Sequence, residues 1–500
     1  MVRALTNARS SSFAGLAGVI LFALLATANA AGYRYGTSDQ SFYIPVITRA
    51  LNPAAFPRDA SLIDAQGHLM VLDEVMAAVM RGSGISLEAL FLTGYLVSLA
   101  LIWGGLVLIG RRVYRSDWTV LALAAAFTLR HRIPETSANS FEPYFHPRML
   151  AFGFGILAVA AVLRRRDWAA VALVGVAAIV HITTGMWFAV LVGVALAVLD
   201  AGMRRLAVAG GGIAIALTLW ALVTGRLTPV LAPMDDLWLQ AVASKDSLFA
   251  TQWPLWAWGA NLALLAVIWG AQLWRVRRGA ATDEDAALVW GATALVAVFL
   301  LTLPLVAARA TLPVQLQISR VFWLVDFIAT VYLLSFADAA PPGVLRGIAV
   351  ALVVVSVARG TYVMLVERSE RALFAVTVPD SPWEDAMRWV ARQPLGLHVF
   401  ADPGHAWKYG TSERVTGGRD VLLEEVKDSA LAIYSRDVAA RVVERTAAIG
   451  DFGTLTADRA RALARRYDLD VLVTEADLPL PLLYRNERFH IYAINNQPTQ

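Results

Sequence analysis

The stretch His146–Gly185, "HPRMLAFGFGILAVAAVLRRRDWAAVALVGVAAIVHITTG", decides the fold class. It contains two apolar runs, at about 149–163 and 168–182, and the charged group "RRRD" (Arg164–Asp167) lies between them. Apolar runs that are joined by a short arginine-rich loop are typical of membrane-spanning helices. The stretch therefore predicts a protein that crosses a membrane several times.

The same pattern recurs along the whole chain. Of its 500 residues, 58% are hydrophobic and only 16% are charged, and the mean hydropathy is +0.57. A soluble domain rarely contains so high a proportion of apolar residues. The apolar spans that we predict lie at about 13–31, 87–110, 117–130, 149–163, 168–182, 184–200, 206–224, 253–273, 286–307, 318–336 and 343–366. Several of them are short for a full crossing, so ten to thirteen crossings are compatible with the eleven spans of this interpretation.

The net charge of +4 and the pI of about 9.3 do not point to a nucleic-acid partner. The arginines are grouped in short clusters between apolar runs, which is the distribution that membrane topology requires. The chain has no cysteine. Disulfides, thiolate metal sites and cysteine nucleophiles are therefore excluded.

The arginine clusters also predict the orientation of the chain. The clusters fall in alternate short loops and are "RRVYR" (Arg111–Arg115), "RRRD" (Arg164–Asp167), "GMRR" (Arg204 and Arg205) and "WRVRRG" (Arg275–Arg278). Together with Arg3 and Arg9 they place the N-terminus in the cytoplasm. An odd number of spans then places the C-terminal region outside. A cleaved signal peptide that ends near Ala31 is an alternative to a retained first helix.

The composition changes after Glu367. We predict a multi-span membrane domain at 1–366, with outer loops at 32–86 and 129–148, and a small soluble α/β domain at 367–500 on the extracytoplasmic face. In this tail "SPWEDAMRWVARQ" predicts a helix capped by Ser381 or Asp380, and Val421 to about Ile449 predicts one long helix. "TADRARALARRYD" predicts another capped helix, and "LHVFAD", "LDVLVTE" and "RFHIYAIN" predict strands.

The first outer loop begins with "YRYGTSDQSFYIPVITRALNPAAFPRD" (Tyr33–Asp59), which carries Asp39 and Gln40. Further along, apolar residues recur at three- and four-residue spacing from Leu69 to Met80. This spacing predicts an amphipathic helix that lies flat at the membrane surface. A plain amphipathic connector is the alternative for this helix.

The second outer loop, Leu129–Arg148, concentrates charged residues beside the membrane. They are Arg130, His131, Arg132, Glu135, Glu142, His146 and Arg148. Guanidinium groups meet phosphate oxygens bidentately, so arginines and histidines in this loop favour a phosphate-bearing ligand. Carboxylates can act as bases or hold a cation. The alternative is a hydrated loop with surface charges.

Three further candidates lie at the ends of apolar spans. His181 ends the fifth span, where a structural role is the alternative to shaping a pocket. Arg309 and Arg320 flank a polar turn, and Asp326 lies about two turns deeper in the tenth span. A carboxylate inside the membrane needs a partner, and we expect an arginine. A structural Arg–Asp pair and a phosphate-binding Arg320 held by Asp326 both fit this pattern.

Other chemical motifs are missing from the sequence. It contains no Walker motif, no G-x-G-x-x-G and no H-E-x-x-H. We therefore predict no cofactor and no metal ligands.

The arrangement resembles the GT-C class of integral-membrane glycosyltransferases, which use lipid-linked sugar donors. The likeness lies in an acidic residue just after the first helix, juxtamembrane helices and a C-terminal soluble domain. "YGTSDQSFYIPVITRALNPAAFPRD", the His146–Gly185 stretch, the Arg320 region and the tail "LPLPLLYRNERFHIYAIN" look like a bacterial subgroup of uncharacterised GT-C-like proteins. This resemblance implies an all-α polytopic membrane domain of about 11 transmembrane helices with a small C-terminal α/β domain.

The resemblance also implies roles for residues. Asp39 would activate the acceptor, and the outer-face arginines and histidines would bind the donor phosphate. Candidate substrate-binding residues are Gln40, Arg130, Arg132, Glu135, Glu142, His146, Arg148, His181, Arg309 and Arg320. Because Gln40 follows Asp39 where a second acid stands in the paired-acid form of the motif, a metal-independent mechanism is favoured.

The resemblance thus implies an inverting glycosyltransferase of the bacterial cytoplasmic membrane. Its partners would be a polyprenyl-phosphate sugar donor, membrane lipid and a glycan, lipid or protein acceptor. Two alternatives are a transporter or flippase of a lipid-linked anionic substrate and a non-catalytic scaffold for envelope assembly. A transporter predicts inverted repeats and broken helices near the midplane, and neither is evident in the sequence.

Overall fold

The computed structural model of the chain describes residues 2–67 and 71–495. The chain divides into two compact units. The first, here the helical unit, consists of Met1–Tyr33, Thr93–Pro233 and Asp246–Phe374. The second, here the mixed unit, consists of Arg34–Leu92, Met234–Lys245 and Ala375–Gln500. The first outer loop thus belongs to the same compact unit as the C-terminal residues, while the division into a membrane domain and a soluble domain stays a prediction.

Long apolar helices dominate the helical unit. The α-helices are Val2–Asn29, Leu87–Val113 (from Thr93 onward), Asp117–Thr128, Pro147–Val162, Asp167–Val180, Ile182–Leu199, Ala201–Val223, Thr228–Leu231, Leu255–Arg277, Asp283–Ala307, Thr311–Gln315, Val321–Asp338 and Pro342–Tyr362. Short 3₁₀ turns lie at Asp246–Leu248, Ala250–Gln252 and Ile318–Arg320, and a π turn lies at Val363–Glu367. Arg132–Ile133 and Ala138–Asn139 form a small antiparallel hairpin.

Each predicted apolar span is helical over most of its length. Seven helical segments in the described part of the chain are long and apolar enough to cross a membrane: Leu87–Val113, Ile182–Leu199, Ala201–Val223, Leu255–Arg277, Asp283–Ala307, Thr311–Asp338 and Pro342–Glu367. Four apolar helices are shorter: Gly15–Asn29, Asp117–Thr128, Pro147–Val162 and Asp167–Val180. The chain is therefore a multi-pass membrane protein by composition, and the count of eleven crossings stays a prediction.

The helices Asp167–Val180 and Ile182–Leu199 form a tight hairpin around His181. A Cβ atom added to Gly185 would lie 2.3 Å from the Cα atom of Ala178 and 2.4 Å from its backbone nitrogen. Only glycine allows the two backbones to approach this closely. Small residues at helix contacts are how membrane helices pack without a hydrophobic driving force.

Gly185→Ala is therefore expected to destabilise the protein by about 1–3 kcal/mol, because the added methyl group meets backbone that cannot move aside. Gly175 on the same hairpin is the matched control, since nothing lies within 4 Å of an added Cβ there. Gly175→Ala is expected to be neutral or slightly stabilising. The Tm of both variants in detergent, followed by tryptophan fluorescence, tests this. Equal shifts for the two variants would contradict the close approach.

The mixed unit combines short helices with one sheet. Its α-helices are Gln40–Leu51, Ala60–Gly67, Leu72–Ser83, the beginning of Leu87–Val113, Asp236–Val242, Pro382–Ala391, His405–Lys408, Glu413–Thr416, Glu425–Leu431, Arg436–Ile449 and Ala457–Tyr467, and Phe452–Thr454 is a 3₁₀ turn. The strands of the sheet are β1 (His398–Phe400), β2 (Asp420–Val421), β3 (Val471–Thr474), β4 (Leu482–Arg485) and β5 (His490–Ala493). Two further short strands, Tyr33–Arg34 and Phe374–Ala375, lie at the positions in the sequence where one unit ends and the other begins.

The sheet has five strands in the order β2-β1-β3-β5-β4. β1 pairs in parallel with β2 and β3, and β5 pairs antiparallel with β3 and β4. Trp383, Met387 and Val390 of one helix pack against apolar residues of the sheet and form a buried core. The predicted strands in "LHVFAD", "LDVLVTE" and "RFHIYAIN" are confirmed as β1, β3 and β5.

The predicted helix caps in the tail are also found. Ser381 accepts a hydrogen bond from the Glu384 backbone N–H, and Thr456 accepts one from Arg459. The prediction of one long helix from Val421 to Ile449 is wrong, because Glu425–Leu431 and Arg436–Ile449 are separate helices. The second helix has its own cap, the Ser435 side chain, which accepts from the Val438 N–H. The amphipathic helix of the first outer loop is Leu72–Ser83, and Leu69 lies outside the described residues.

Candidate functional site

Asp39 begins the helix Gln40–Leu51, at the end of a strained turn in the mixed unit. The φ angles of Gly36 and Ser38 are +77° and +55°, both in the left-handed region. Such conformations are costly for serine and cluster at functional sites. The Gln40 side chain is fully buried, and its Oε1 accepts a hydrogen bond of 2.7 Å from the Gly36 N–H. Gln40 thus fixes the turn that carries Asp39, and a substrate contact for Gln40 stays a prediction.

The Asp39 carboxylate pairs with a lysine of the C-terminal segment. Lys427 Nζ lies 3.2 Å from Asp39 Oδ1, and the side chains are 7% and 30% exposed. The Lys427 ammonium also lies 5.1 Å from the centre of the Phe42 ring, within reach of a cation–π interaction. Asp39 is therefore a partly exposed carboxylate with a largely buried cationic partner.

A buried ionic network lies in the same unit. Asp59 accepts hydrogen bonds from Arg441 and, at 2.8 Å, from Arg414 Nε. Arg414 Nη1 also lies 2.6 Å from Asp428 Oδ1. Burial alone would raise the pKa of Asp59, but the two arginines outweigh it and hold that pKa well below its usual range. Asp59 and Asp428 are fully buried, so this network is a structural part of the unit.

The second outer loop is more deeply buried than the sequence predicts. Its hairpin leaves Arg132 exposed, whereas residues 141–149 are all buried. Glu135 lies in the turn of the hairpin with a φ of +51°. The alternative of a hydrated loop with surface charges is therefore wrong for Glu142, His146 and Arg148, which are 3–5% exposed.

An arginine-carboxylate cluster is formed within this loop. Arg148 Nη2 lies 2.7 Å from Glu142 Oε1, and Arg130 Nη2 lies 4.0 Å from Glu142 Oε2. Arg130 Nε donates to the Phe141 carbonyl oxygen at 2.8 Å. The Arg148 guanidinium lies 5.7 Å from the centre of the Trp323 ring. Buried charges need such partners, and the two arginines leave the group with one positive charge more than Glu142 neutralises.

Two histidines join this cluster as helix caps. His146 Nδ1 accepts a 3.0 Å hydrogen bond from the Arg148 N–H, and His181 Nδ1 accepts one of 3.3 Å from the Thr184 N–H. Because both Nδ1 atoms accept, the proton of each neutral ring lies on Nε2. The two ring centres are 6.1 Å apart. His146, Arg148 and Arg320 are the ionisable or cationic neighbours of His181, so Arg320 belongs to the same neighbourhood.

The expected arginine partner of Asp326 is a histidine instead. Asp326 Oδ2 lies 3.1 Å from His131 Nε2. The hydrogen bond to Asp326 raises the pKa of His131 above its usual value, in spite of partial burial. The prediction failed because spacing along one helix cannot show which distant loop covers a carboxylate.

The helical unit therefore brings together Arg130, Glu142, His146, Arg148, His181 and Arg320 (here the arginine–histidine cluster). Arg132 is exposed on its strand, and Arg309 is exposed after the helix Asp283–Ala307 with a φ of +60°. Gln317, just before Arg320, also has a left-handed φ of +48°. Strained backbone thus accompanies three predicted site segments of this unit.

Sequence reasoning missed Lys427, Trp323 and the role of Asp59. One signal for Lys427 was present, because only three of the 43 basic residues are lysines. For the other two residues the sequence offered no signal. Within residues 2–67 and 71–495, no three His, Asp or Glu side chains are grouped so that they could hold a metal ion.

Comparisons with solved structures give structural similarities, one of which is described here. No protein-family profile matches the sequence, and no curated protein matches it. The chain is similar to the crystal structure of the Archaeoglobus fulgidus oligosaccharyltransferase in complex with Zn and sulfate. The two chains are 14% identical, the TM-score is 0.45, and the match covers 91% of this chain and 67% of that chain.

Proposed function

We propose that this chain is an integral-membrane glycosyltransferase of the GT-C type. It moves a sugar from a polyprenyl-phosphate donor to a glycan, lipid or protein acceptor outside the bacterial cytoplasmic membrane. The observation that carries the proposal is Asp39, a partly exposed carboxylate that is held by a strained turn and paired with Lys427. A polytopic membrane protein with such a carboxylate fits transfer from a lipid-linked donor.

In the proposed reaction Asp39 is the general base. The acceptor hydroxyl or amide attacks the anomeric carbon of the sugar, and its proton passes to Asp39. The bond between the anomeric carbon and the phosphate oxygen breaks at the same time. Polyprenyl phosphate leaves with the bonding electron pair, and the configuration of the sugar is inverted. No metal ion is needed for these steps.

We assign phosphate binding to the arginine–histidine cluster. Its excess of positive charge and its histidine Nε2–H groups suit a phosphate whose negative charge grows as the sugar leaves. The buried Glu142–Arg148 pair holds the cluster in shape, and the half-buried Arg130 and Arg320 are the residues assigned to the phosphate oxygens. Arg132, Glu135 and Arg309 are assigned to the more exposed parts of the substrates.

Localisation is part of the proposal. The N-terminus lies in the cytoplasm, and the C-terminal residues lie outside the cytoplasmic membrane. A reporter that is active only outside the cytoplasm is expected to be active when it is fused at residue 420. A cytoplasmic signal at this position would overturn the orientation.

The proposal is tested with the full-length protein in lipid nanodiscs. The probes are polyprenyl phosphates that carry single radiolabelled hexoses, offered with extracted envelope glycans, lipids and peptides. Release of polyprenyl phosphate and transfer of the label, measured by mass spectrometry and scintillation counting, are expected for one of the donors. If no donor is cleaved, the enzyme assignment fails. Movement of intact donor across a proteoliposome membrane would instead favour a flippase.

A further inference from the structure

Two of the three lysines of this chain lie around Asp39. The chain has 43 basic residues, and all but Lys245, Lys408 and Lys427 are arginines. Lys427 pairs directly with Asp39. Lys245 Nζ donates to the Val426 carbonyl oxygen at 3.2 Å, beside Lys427. In a chain that uses arginine almost everywhere else, this placement calls for a reason specific to lysine.

The surroundings of the two lysines are electrostatically coupled. Burial lowers the pKa of Lys245, the neighbouring Lys427 lowers it further, and Asp39 and Glu425 oppose both effects. The coupling places Lys245, Lys427 and Asp39 within one local electric field. A lysine presents a compact charge to one carboxylate oxygen, whereas an arginine would bind both oxygens in a fork. Lys427 accordingly contacts Asp39 at one point, with its Nζ 3.2 Å from Oδ1.

The structural ion pairs of this unit are built differently. Asp59 is fully buried and is bound by two arginines, Arg414 and Arg441. The Asp39 side chain is 30% exposed and is bound by a lysine. Asp59 is therefore a buried structural carboxylate, whereas the Asp39 carboxylate is partly accessible to solvent.

We propose that Lys427 is a positioning residue that orients the Asp39 carboxylate and keeps it ionised for proton abstraction. This inference rests on the proposed glycosyltransferase function. Lys427 acts through Asp39 and takes no proton itself. Its ammonium, held against the Phe42 ring, favours the ionised form of Asp39, which is the form that can accept the acceptor's proton. Lys245 adds a second positive charge to the same field.

The other charged side chains near this helix do not replace Lys427. Glu425 lies on the helix that carries Lys427, and its negative charge raises the pKa of Lys245. The charged side chains on the helices that contact Gln40–Leu51, and on that helix itself, are Arg49, Asp64, Asp73, Glu74, Arg81, Glu413 and Arg414. Arg49 pairs with Asp64, Arg414 pairs with Asp59, and Arg81 donates to the Ala50 carbonyl oxygen.

The first test needs no substrate. In protein labelled with ¹³C and ¹⁵N only in lysine, three side-chain signals are expected, and single Lys→Arg variants assign them. Asp39→Asn is expected to shift the Lys427 signal and to lower the pKa of Lys245 further, while the Lys408 signal stays in place. Asp402→Asn, which removes the partner of Lys408, is the matched control and should move only Lys408. An unchanged Lys427 signal in Asp39→Asn overturns the inference.

The second test uses transfer kinetics with the donor that the nanodisc assay identifies. Lys427→Met is expected to lower kcat by about 10–100-fold and to move the acid side of the pH profile upward by about one unit, with little change in the donor KM. Lys427→Arg keeps the charge but can bind both carboxylate oxygens in a fork, so it should restore the pH profile and only part of kcat. Arg436→Met removes an exposed pair with Asp235 in the same unit and should leave both quantities unchanged.

The two proposals fail in different ways. A Lys427→Met protein with wild-type kcat and pH profile overturns the positioning role and leaves the glycosyltransferase assignment intact. A wild-type protein that cleaves no donor overturns the glycosyltransferase assignment and the catalytic part of this inference together. If Lys427→Met does not fold, Lys427→Gln takes its place in the kinetic test, and the Asp39→Asn spectrum tests the ion pair independently.

Discussion

Replacing Asp39 by asparagine is expected to lower kcat for sugar transfer by about 10²–10⁴-fold, with a small change in the donor KM. Asparagine keeps the size and shape of the side chain but cannot accept the acceptor's proton. The helix start should tolerate the change, because the Asp39 side chain makes no capping hydrogen bond and asparagine is as good as aspartate at a helix N-terminus. The largely buried Lys427 loses its ionic partner, so some loss of stability is also expected, and the loss of kcat should exceed what the fall in Tm explains.

The measurement is single-turnover transfer at saturating donor, with the Tm of each variant recorded in parallel. Asp64→Asn is the control, because Asp64 lies in the same loop and pairs with Arg49 but has no assigned role. Wild-type turnover by Asp39→Asn would remove Asp39 from the mechanism. Equal losses in Asp39→Asn and Asp64→Asn would point to a general disturbance of the loop.

Much of the fold could be predicted from local patterns. The apolar spans form helices because a helix satisfies the hydrogen bonds of its own backbone, as an apolar environment requires. The caps at Ser381 and Thr456 followed from hydroxyl side chains that precede helical periodicity. These features depend on neighbours within a few residues, which a single sequence contains.

The contacts at the candidate site depend on distant residues and could not be predicted in the same way. Lys427 is 388 residues from Asp39, and Arg414 is 355 residues from Asp59. The partner of Asp326 is His131, 195 residues away. No periodicity or spacing connects such positions. The scarcity of lysine was the one usable signal, and it indicated that Lys427 is unusual without naming its partner.

One short helix connects the two ionic groups of the mixed unit. Glu425–Leu431 carries both Lys427, which pairs with Asp39, and Asp428, which pairs with Arg414. Arg414 in turn binds Asp59. The position of Lys427 therefore depends on a buried network that has no part in the proposed chemistry. A substitution that disrupts this network should therefore also displace Lys427 from Asp39, because one helix carries Lys427 and Asp428.

Asp59→Asn is accordingly expected to destabilise the mixed unit by about 3–5 kcal/mol, because it leaves the half-buried Arg441 without its carboxylate and removes one of the three carboxylates that pair with Arg414. Hydrogen exchange read by mass spectrometry is the suitable measurement, since a chain of two units need not unfold in one step. Amides in the sheet and in Glu425–Leu431 should exchange at least about a hundredfold faster, as each 1.4 kcal/mol is a factor of ten.

Two controls test whether the loss of stability is specific to the network around Asp59. Asp380→Ala removes an exposed ion pair, in which the Asp380 side chain is 90% exposed and lies 2.8 Å from Arg388, and it should cost less than about 1 kcal/mol. Amides of the helix Ile182–Leu199 in the helical unit provide an internal reference that Asp59→Asn should not change. A loss in Asp59→Asn no larger than that in Asp380→Ala would contradict the structural role of the network.

The effect of Asp59 also has a defined pH dependence. Its pKa is held below the ordinary value of 3.8 in the folded protein, so its contribution to stability is fully present above that value. The contribution is lost as the pH falls through the folded-state pKa, because the carboxylate must then be protonated. The stability difference between wild type and Asp59→Asn should be constant from neutral pH down to about pH 5 and shrink only below pH 3.8. A difference that shrinks near neutral pH would show that another group, and not the Asp59 carboxylate, controls the stability of this network.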